Sequence, residues 1–425
     1  MLSKVYTYSF LIGLILFLFT GCSPQKQAYS NKENLYKKNN QELNAGFVAY
    51  HLNDSVSQLH FKLPNENLIY KRPDTSSYFY AASKIKYFLF ANTTSKQLLD
   101  SGSVTVFDRQ SETVFAKSIT GNLFMDVRFG KIYTAEIHIY DLNKKSKSTY
   151  VITVDKTTYN NRQNFLLQKN NGAIIFDYYL HPGDTVIVKS FLNKHMNLVV
   201  DHFYREFPLS PPPFSPIERS SFNYKPDSFF SVSKQTGLIK LIIPKKGFYH
   251  MVADPESKTG LTLFSVENSF PGIKNETEMI RSTRYIMSKK EYDACLQSTN
   301  KKQAIDDFWL DIGSSNERAK ELLKKYYNRV SEANKLFTSH QPGWQTDRGM
   351  IYIVYGAPTS MHKYNGGETW VYGNEAQPTA TRFNFKKVNN PFSDNDFLLE
   401  RSEFYKESWY NAVDYWRQGH IYLDN

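Results

Sequence analysis

Between residues 46 and 155 apolar and polar positions alternate with a period of two. Leu59, Phe61 and Leu63 form one series, Ile85, Tyr87 and Leu89 another, and Val104 and Val106 a third. Tyr133, Ala135, Ile137 and Ile139 make the longest series, and Tyr150, Ile152 and Val154 the last. Successive side chains of a strand point to opposite faces, so this alternation marks half-buried strands. Asp100-Ser101-Gly102 reads as a turn between strands, and no helical pattern interrupts the run. Short strands at this spacing predict an immunoglobulin-like antiparallel β-sandwich over 46–157. A second sandwich is expected over 158–272, with strands at 173–180, 185–188, 198–200, 238–243, 248–252 and 261–266. His181-Pro182-Gly183-Asp184 supplies a turn there.

Within that second region lies Phe207-Pro208-Leu209-Ser210-Pro211-Pro212-Pro213-Phe214-Ser215-Pro216. Prolines fix φ and carry no amide donor, so 207–216 should run as an extended, polyproline-like loop. It reads as a rigid connector lying on the sandwich. The sharper alternative is a docking segment for an aromatic-lined groove on a partner.

After Pro271 the period becomes helical. Ser288-Lys289-Lys290-Glu291 forms a capping box that opens a short helix containing Cys295. Asn300 can cap a second helix whose apolar face is Ala304, Ile305, Phe308, Trp309 and Ile312. Ser314-Ser315-Asn316-Glu317 reads as another capping box. Beyond it Ala319, Leu322, Leu323, Tyr326, Tyr327, Val330, Ala333 and Phe337 predict a long helix that stops before Pro342-Gly343. Residues 350–355 are apolar on both faces and are expected to form a central strand, with antiparallel neighbours at 368–372, 382–387 and 397–400. A final helix over 403–417 should bury Tyr405, Trp409, Ala412, Val413 and Trp416, with Gly419 as its C-terminal cap. The expected fold is therefore multidomain β plus α+β: two sandwiches and then a helical and β-meander module over 273–425.

The N-terminus has a different character. Lys4 precedes an apolar stretch at 10–19, interrupted only by Gly13. That stretch suits a secretion signal and falls short of the roughly 20 residues a spanning helix needs. Thr20-Gly21-Cys22 then places small residues before a cysteine, as a lipoprotein signal peptidase requires, although Phe19 stands where Leu is usual. The reading is a signal peptide over 1–21, a covalent lipid on Cys22, and a polar tether over 22–45. An ordinary signal peptide, or an uncleaved anchor, with an incidental cysteine is the alternative. Stable anchoring takes more than one acyl chain, which a fully acylated lipoprotein terminus provides.

Composition narrows the choices. Cys295 is the only other cysteine, so no disulfide is expected within the chain. The net charge of +11 comes from Lys and Arg scattered among acids, a pattern that argues against nucleic acid. The ten histidines are dispersed without metal-ligand spacing, and no cofactor other than the lipid is implied.

Gly343-Trp344-Gln345-Thr346-Asp347, followed by Arg348-Gly349-Met350-Ile351-Tyr352-Ile353-Val354-Tyr355-Gly356-Ala357-Pro358, closely resembles the signature of the GWxTD-domain proteins, found mainly in Bacteroidota. The resemblance extends from about Glu278 through Tyr326-Tyr327-Asn328-Arg329-Val330 to Trp409-Tyr410-Asn411-Ala412-Val413-Asp414-Tyr415-Trp416-Arg417-Gln418-Gly419, about a third of the chain. It implies a lipoprotein signal and β-rich N-terminal regions, and it implies no activity. The motif residues Gly343, Trp344, Thr346, Asp347, Arg348, Gly349, Tyr352, Gly356, Pro358, Trp370, Trp409, Trp416 and Arg417 are read as structural or binding positions. Gly343 would supply unusual backbone geometry, Thr346 and Asp347 would bond local amides at a turn into a strand, and Trp344 would pin the loop to the helices. Arg348 would pair near Asp347 or with a helix C-terminus.

A catalytic alternative gathers Asp347, His362, Glu368 and Arg348 in one cleft, since glycan hydrolysis needs two carboxylates at defined separation. No nucleophile elbow, zinc-protease motif or phosphate loop accompanies them. The preferred expectation is a non-catalytic envelope lipoprotein, a scaffold or accessory subunit whose partners are outer-membrane or periplasmic proteins, possible roles being export or outer-membrane assembly. A glycan- or peptidoglycan-binding protein with exposed Trp and Tyr platforms is the other alternative. Surface-exported lipoproteins of Bacteroidota typically carry acids directly after the cysteine. Here Ser23-Pro24-Gln25-Lys26-Gln27 follows and the first acid is Glu33, which predicts an outer-membrane anchor facing the periplasm.

Overall fold

The computed structural model describes residues 30–31 and 45–422, apart from 75, 93–94, 96, 112–117, 192–196, 218–221, 234–237, 255 and 365. Cys22, the signal segment 1–21 and most of the tether lie outside the described residues. The architecture is mostly antiparallel β with six α-helices among the described residues.

The first two sheets come from β2 (Gly46–His51), β3 (Val56–Pro64), β4 (Phe79–Phe90), β5 (Leu98–Gln110), β6 (Ser118–Asp126), β7 (Ile132–Asp141) and β8 (Ser146–Asp155). They are ordered β2-β3-β6 and β5-β4-β7-β8, all antiparallel, and the short β1 (Ser30–Asn31) belongs elsewhere. The alternating residues point inward as expected: Leu59, Phe61, Ile85, Tyr87, Leu89, Ile137 and Ile139 share one core between the two sheets. The predicted turn at Asp100-Ser101-Gly102 lies inside β5 instead. Gly102 is there because the Tyr87 ring covers it, and an added Cβ would stand 2.6 Å from Tyr87 Cε1. A glycine in a strand can mark such close approach as readily as a turn.

The next two sheets use β9 (Phe165–Gln168), β10 (Tyr179–Leu180), β11 (Thr185–Ser190), β12 (Asn197–Phe203), β13 (Ser228–Ser233), β14 (Leu238–Ile242), β15 (Gly247–Val252) and β16 (Leu261–Ser265). Their orders are β14-β11-β9 and β10-β16-β15-β12-β13, with β10 and β16 parallel. Of the strand expected at 173–180, only Tyr179 and Leu180 pair as a strand. Val188, Val200, Ile239, Met251 and Leu263 form the shared core.

Among the almost fully covered histidines in these β regions are His51, His60 and His250. Burial lowers each to a pKa of about 4, since imidazolium loses its hydration there. The unfolded chain, with histidines near 6.5, takes up protons first as pH falls. Stability should therefore drop between about pH 6.5 and 4, at about 1.4 kcal/mol per pH unit for each histidine. Urea denaturation at pH 7.5, 5.5 and 4.5 measures it, and a flat profile would refute neutral burial.

The C-terminal part begins with α1 (Glu276–Thr283), a helix the periodicity did not show, followed by α2 (Lys289–Gln297), α3 (Lys301–Gly313) and α4 (Asn316–Phe337). Ser288 and Glu291 form the expected capping box on α2, and Asn300 caps α3. At α4 the cap is Ser315, while Ser314 ends α3 at φ 56°, so 314–317 is not the capping box read from the sequence. Next comes α5 (Asp347–Tyr355), where a central strand was expected. An apolar run buried on every side carries no period to separate strand from helix. The Thr346 side chain decides for helix by accepting from the Gly349 amide at 3.0 Å.

The sheet of this part comprises β17 (Ser360–Tyr364), β18 (Gly367–Tyr372), β19 (Thr381–Lys387) and β20 (Phe397–Leu399), antiparallel in that order, with β1 pairing at the β17 edge. The last helix, α6 (Tyr405–Arg417), packs Trp409, Ala412 and Trp416 into the same core as α1 to α5, and Gly419 follows it at φ 76°. No described helix is long and apolar enough to cross a membrane.

Candidate functional site

The Gly343–Gln345 turn is pressed against α4. A Cβ on Gly343 would lie 2.0 Å from Ala333 O, and one on Gly349 would lie 1.9 Å from Gly343 O. Gly343 is thus required by close approach, not by a positive φ. Polar groups bind the turn from beneath: the Gly343 amide donates to Thr338 Oγ1 at 2.9 Å, and the Trp344 amide to Asn334 Oδ1 at 3.2 Å. Thr346 Oγ1 donates to Gly343 O at 2.7 Å while capping α5. Trp344 is buried in the helical core, its carbonyl accepting from Tyr285 OH at 2.8 Å.

Asp347, expected to bond local amides, reaches distant chain instead. Its Oδ2 accepts from the Leu399 amide at 2.8 Å, and its Oδ1 receives both Arg401 Nη2 and Ser210 Oγ. Burial, with the negative charge of Asp347 next, pushes the Tyr285 phenol far above its ordinary range.

Arg348 turns the other way, to neither a helix C-terminus nor Asp347. Its Nη1 donates to Glu368 Oε1 at 3.2 Å, its Nη2 to Asn395 O at 2.9 Å, and its guanidinium lies 3.9 Å from the Phe397 ring centroid. Glu368 is fully buried and also accepts from Trp370 Nε1 at 3.0 Å. His362 is bonded to Glu375 at 2.6 Å. Of the four groups in the catalytic alternative, only Arg348 and Glu368 meet as bonded partners. Asp347 and His362 belong to other bonded sets.

The remaining motif residues are structural contacts. Tyr352 OH donates to Glu332 at 2.7 Å, and Pro358 is buried between α5 and β17. Gly356 ends α5 at φ 86°, where a Cβ would meet the Arg329 guanidinium at 2.7 Å. Trp416 Nε1 donates to Val354 O at 2.9 Å, and Trp409 is buried beside it in the core. Arg417 forks onto Glu291 at 3.0 and 2.8 Å, and this bond holds the Glu291 carboxyl down at about 2. All five tryptophans are buried, so none is the exposed sugar platform considered above.

The segment 207–216 lies across this motif. Besides Ser210, it gives its carbonyls to Arg281, Gln345 and Arg401. It is neither a connector on the sandwich alone nor a free docking segment, because its partner groove is in the same chain. Periodicity could not reveal Arg281, Tyr285, Ser210 and Arg401 as site residues, since each lies outside the motif and meets it only through the fold. Among the described residues no cluster of three or more His, Cys, Asp or Glu could hold a metal.

Helices and an antiparallel sheet around one core, closed by a glycine-tight turn, define this end as an α+β module. The model of the GWxTD domain family matches residues 247–418. The chain is a GWxTD-domain-containing protein, and the match takes in β15 and β16 as well as the helices. No curated protein matches the sequence.

Proposed function

We propose that this chain is a non-catalytic, lipid-anchored envelope protein, a scaffold or accessory subunit of an outer-membrane protein complex serving export or outer-membrane assembly. One observation carries the reading: the motif's charged groups are committed to internal bonds. Asp347 holds Ser210, Arg401 and the Leu399 amide, and Glu368 holds Arg348 and Trp370. Hydrolysis through this pair would need carboxylates available to substrate and water. In this reading the two β regions are immunoglobulin-like spacers, and the lipid on Cys22 fixes the chain to the outer membrane facing the periplasm.

The test is purification of the tagged full chain from detergent-solubilised membranes, with mass spectrometry of what accompanies it. A stoichiometric outer-membrane or periplasmic protein is the expected result. A protein recovered alone would overturn the scaffold reading. Replacing Cys22 by Ala should release the chain from the membrane fraction, and unchanged membrane retention would remove the lipid anchor.

Glycan binding keeps one specific support. A cleft of about 380 Å³ is lined by Arg162, Asp177, Tyr178, Asn389, Phe392 and Asp394, among others, a mixture of planar polar groups and rings. Retention on purified sacculi at high salt would favour that reading.

A further inference from the structure

The segment 207–216 is held chiefly by its backbone. Arg281 Nη2 and Gln345 Nε2 donate to Phe207 O at 3.1 and 3.2 Å. Arg401 Nη1 donates to Pro211 O at 2.7 Å and to Pro212 O at 2.9 Å, and the Ser402 amide donates to Pro213 O at 3.1 Å. A proline-rich run offers carbonyls and few amides, so a surface built to hold it must supply donors. This surface does so at Phe207 and again at Pro211, Pro212 and Pro213. One side chain is read by hydrogen bonding, Ser210, whose hydroxyl donates to Asp347. Three others are read by packing, and the first is Phe207, whose ring meets that of His340 edge-on at 5.3 Å. Leu209 and Phe214 lie against the helical core, with the Phe214 ring 5.4 Å from that of Tyr410.

Between proteins, proline-rich segments dock their preformed extended backbone into aromatic-lined grooves; here His340 and Tyr410 supply rings while side-chain donors meet the carbonyls. We propose that this face of the GWxTD domain is a peptide-recognition site for an extended, proline-bearing chain with a central hydroxyl residue. Segment 207–216 is its resident ligand in cis, and a partner's segment of the same chemistry displaces it. The carbonyl bonds carry little side-chain information, so selectivity comes from the hydroxyl on Asp347 and from the contacts of Phe207, Leu209 and Phe214. The proposal rests on the scaffold reading, in that the displacing chain belongs to a partner protein.

A ligand tethered at both ends competes at an effective concentration on the order of millimolar. The apparent Kd for a free peptide is the intrinsic Kd divided by the fraction of molecules whose site is open, so a mostly closed site binds weakly. The experiment uses the full chain and a fluorescein-labelled peptide of residues 205–217, read by anisotropy. The wild type should bind weakly. A Ser210→Ala, Phe214→Ala chain, which weakens the resident ligand and leaves the receiving groups intact, should bind at least about tenfold tighter. Adding Asp347→Asn in that background should reverse the gain, whereas Asp414→Asn, an exposed site, should not. A peptide in which Ser210 is replaced by Ala should bind more weakly.

If the weakened chain melts as a folded protein yet binds no tighter than the wild type, the proposal fails. It fails too if Asp347→Asn and the altered peptide make no difference. Should the weakened chain not fold, the wild type itself decides. Excess unlabelled peptide should raise deuterium uptake at the Ser210 amide, which is bonded to the Tyr285 phenol, and unchanged uptake overturns the proposal. A co-purified partner without peptide binding would remove this inference and leave the scaffold reading; peptide binding without a co-purified partner would do the reverse.

Discussion

Arg348→Met is expected to lower the unfolding free energy by about 3–5 kcal/mol, the usual cost of leaving a buried charge without its partner. Glu368 has no exposed surface, and one of its oxygens is held by Arg348 and Trp370 while the other has Lys363 Nζ at 3.8 Å. Arg348 also bonds Asn395 and lies against the rings of Phe337 and Phe397, at 5.1 and 3.9 Å from their centroids. Methionine retains much of the stem's packing but none of the charge. What remains is a carboxylate inside the sheet-to-helix core, facing the indole N–H and, at 3.8 Å, the Lys363 ammonium in place of the full guanidinium pairing. Adding Glu368→Gln should recover a good part of the loss, because the orphaned charge goes with it. Urea denaturation of the two single variants and the double variant measures this. If Arg348→Met alone unfolds like the wild type, the Arg348–Glu368 pair contributes nothing to the stability of this core.

Gly349→Ala is the second large effect, with an expected cost of about 3 kcal/mol or more, at the upper end of overpacking penalties. The new methyl would stand 1.9 Å from Gly343 O and 3.1 Å from Trp344 Cα, and both obstacles are backbone. No rotamer change can clear them. The turn would have to move away from α5, yet its other side is equally tight, since Gly343 is itself pressed on Ala333 O of α4. Thr346→Ala offers the comparison within the same motif. It removes the α5 cap and should cost about 1 kcal/mol. Thermal melts of the two variants should therefore rank Gly349→Ala well below Thr346→Ala. The opposite order would mean that capping, and not steric fit, makes the motif rigid.

Local chemistry was readable wherever one short stretch decides an element. Period-two alternation at Leu59, Phe61 and Leu63 or at Tyr133 to Ile139 places strands because a pleated half-buried ribbon permits little else. Ser288 with Glu291, and Asn300, start helices because their side chains satisfy amides three residues away. The motif at 343–358 identified the GWxTD domain, since a glycine-tight turn demands its residues locally and in order.

Three matters were decided only in the tertiary structure. Residues 350–355 became a helix because burial on all sides erases the period that separates helix from strand, and the cap then prevails. Asp347 and Arg348 are adjacent in sequence yet serve different partner sets, one binding Ser210 and Arg401, the other Glu368 and Asn395. Helical geometry turns neighbours apart, and no spacing rule names partners 137 residues away. Proline chemistry made 207–216 extended, but its lodging on the GWxTD turn depends on Arg281, Gln345 and Arg401, which only the fold brings to one face. Sequence governs what a segment can form with its neighbours; the donors and charges that claim it come from chain far away, and packing alone assembles them.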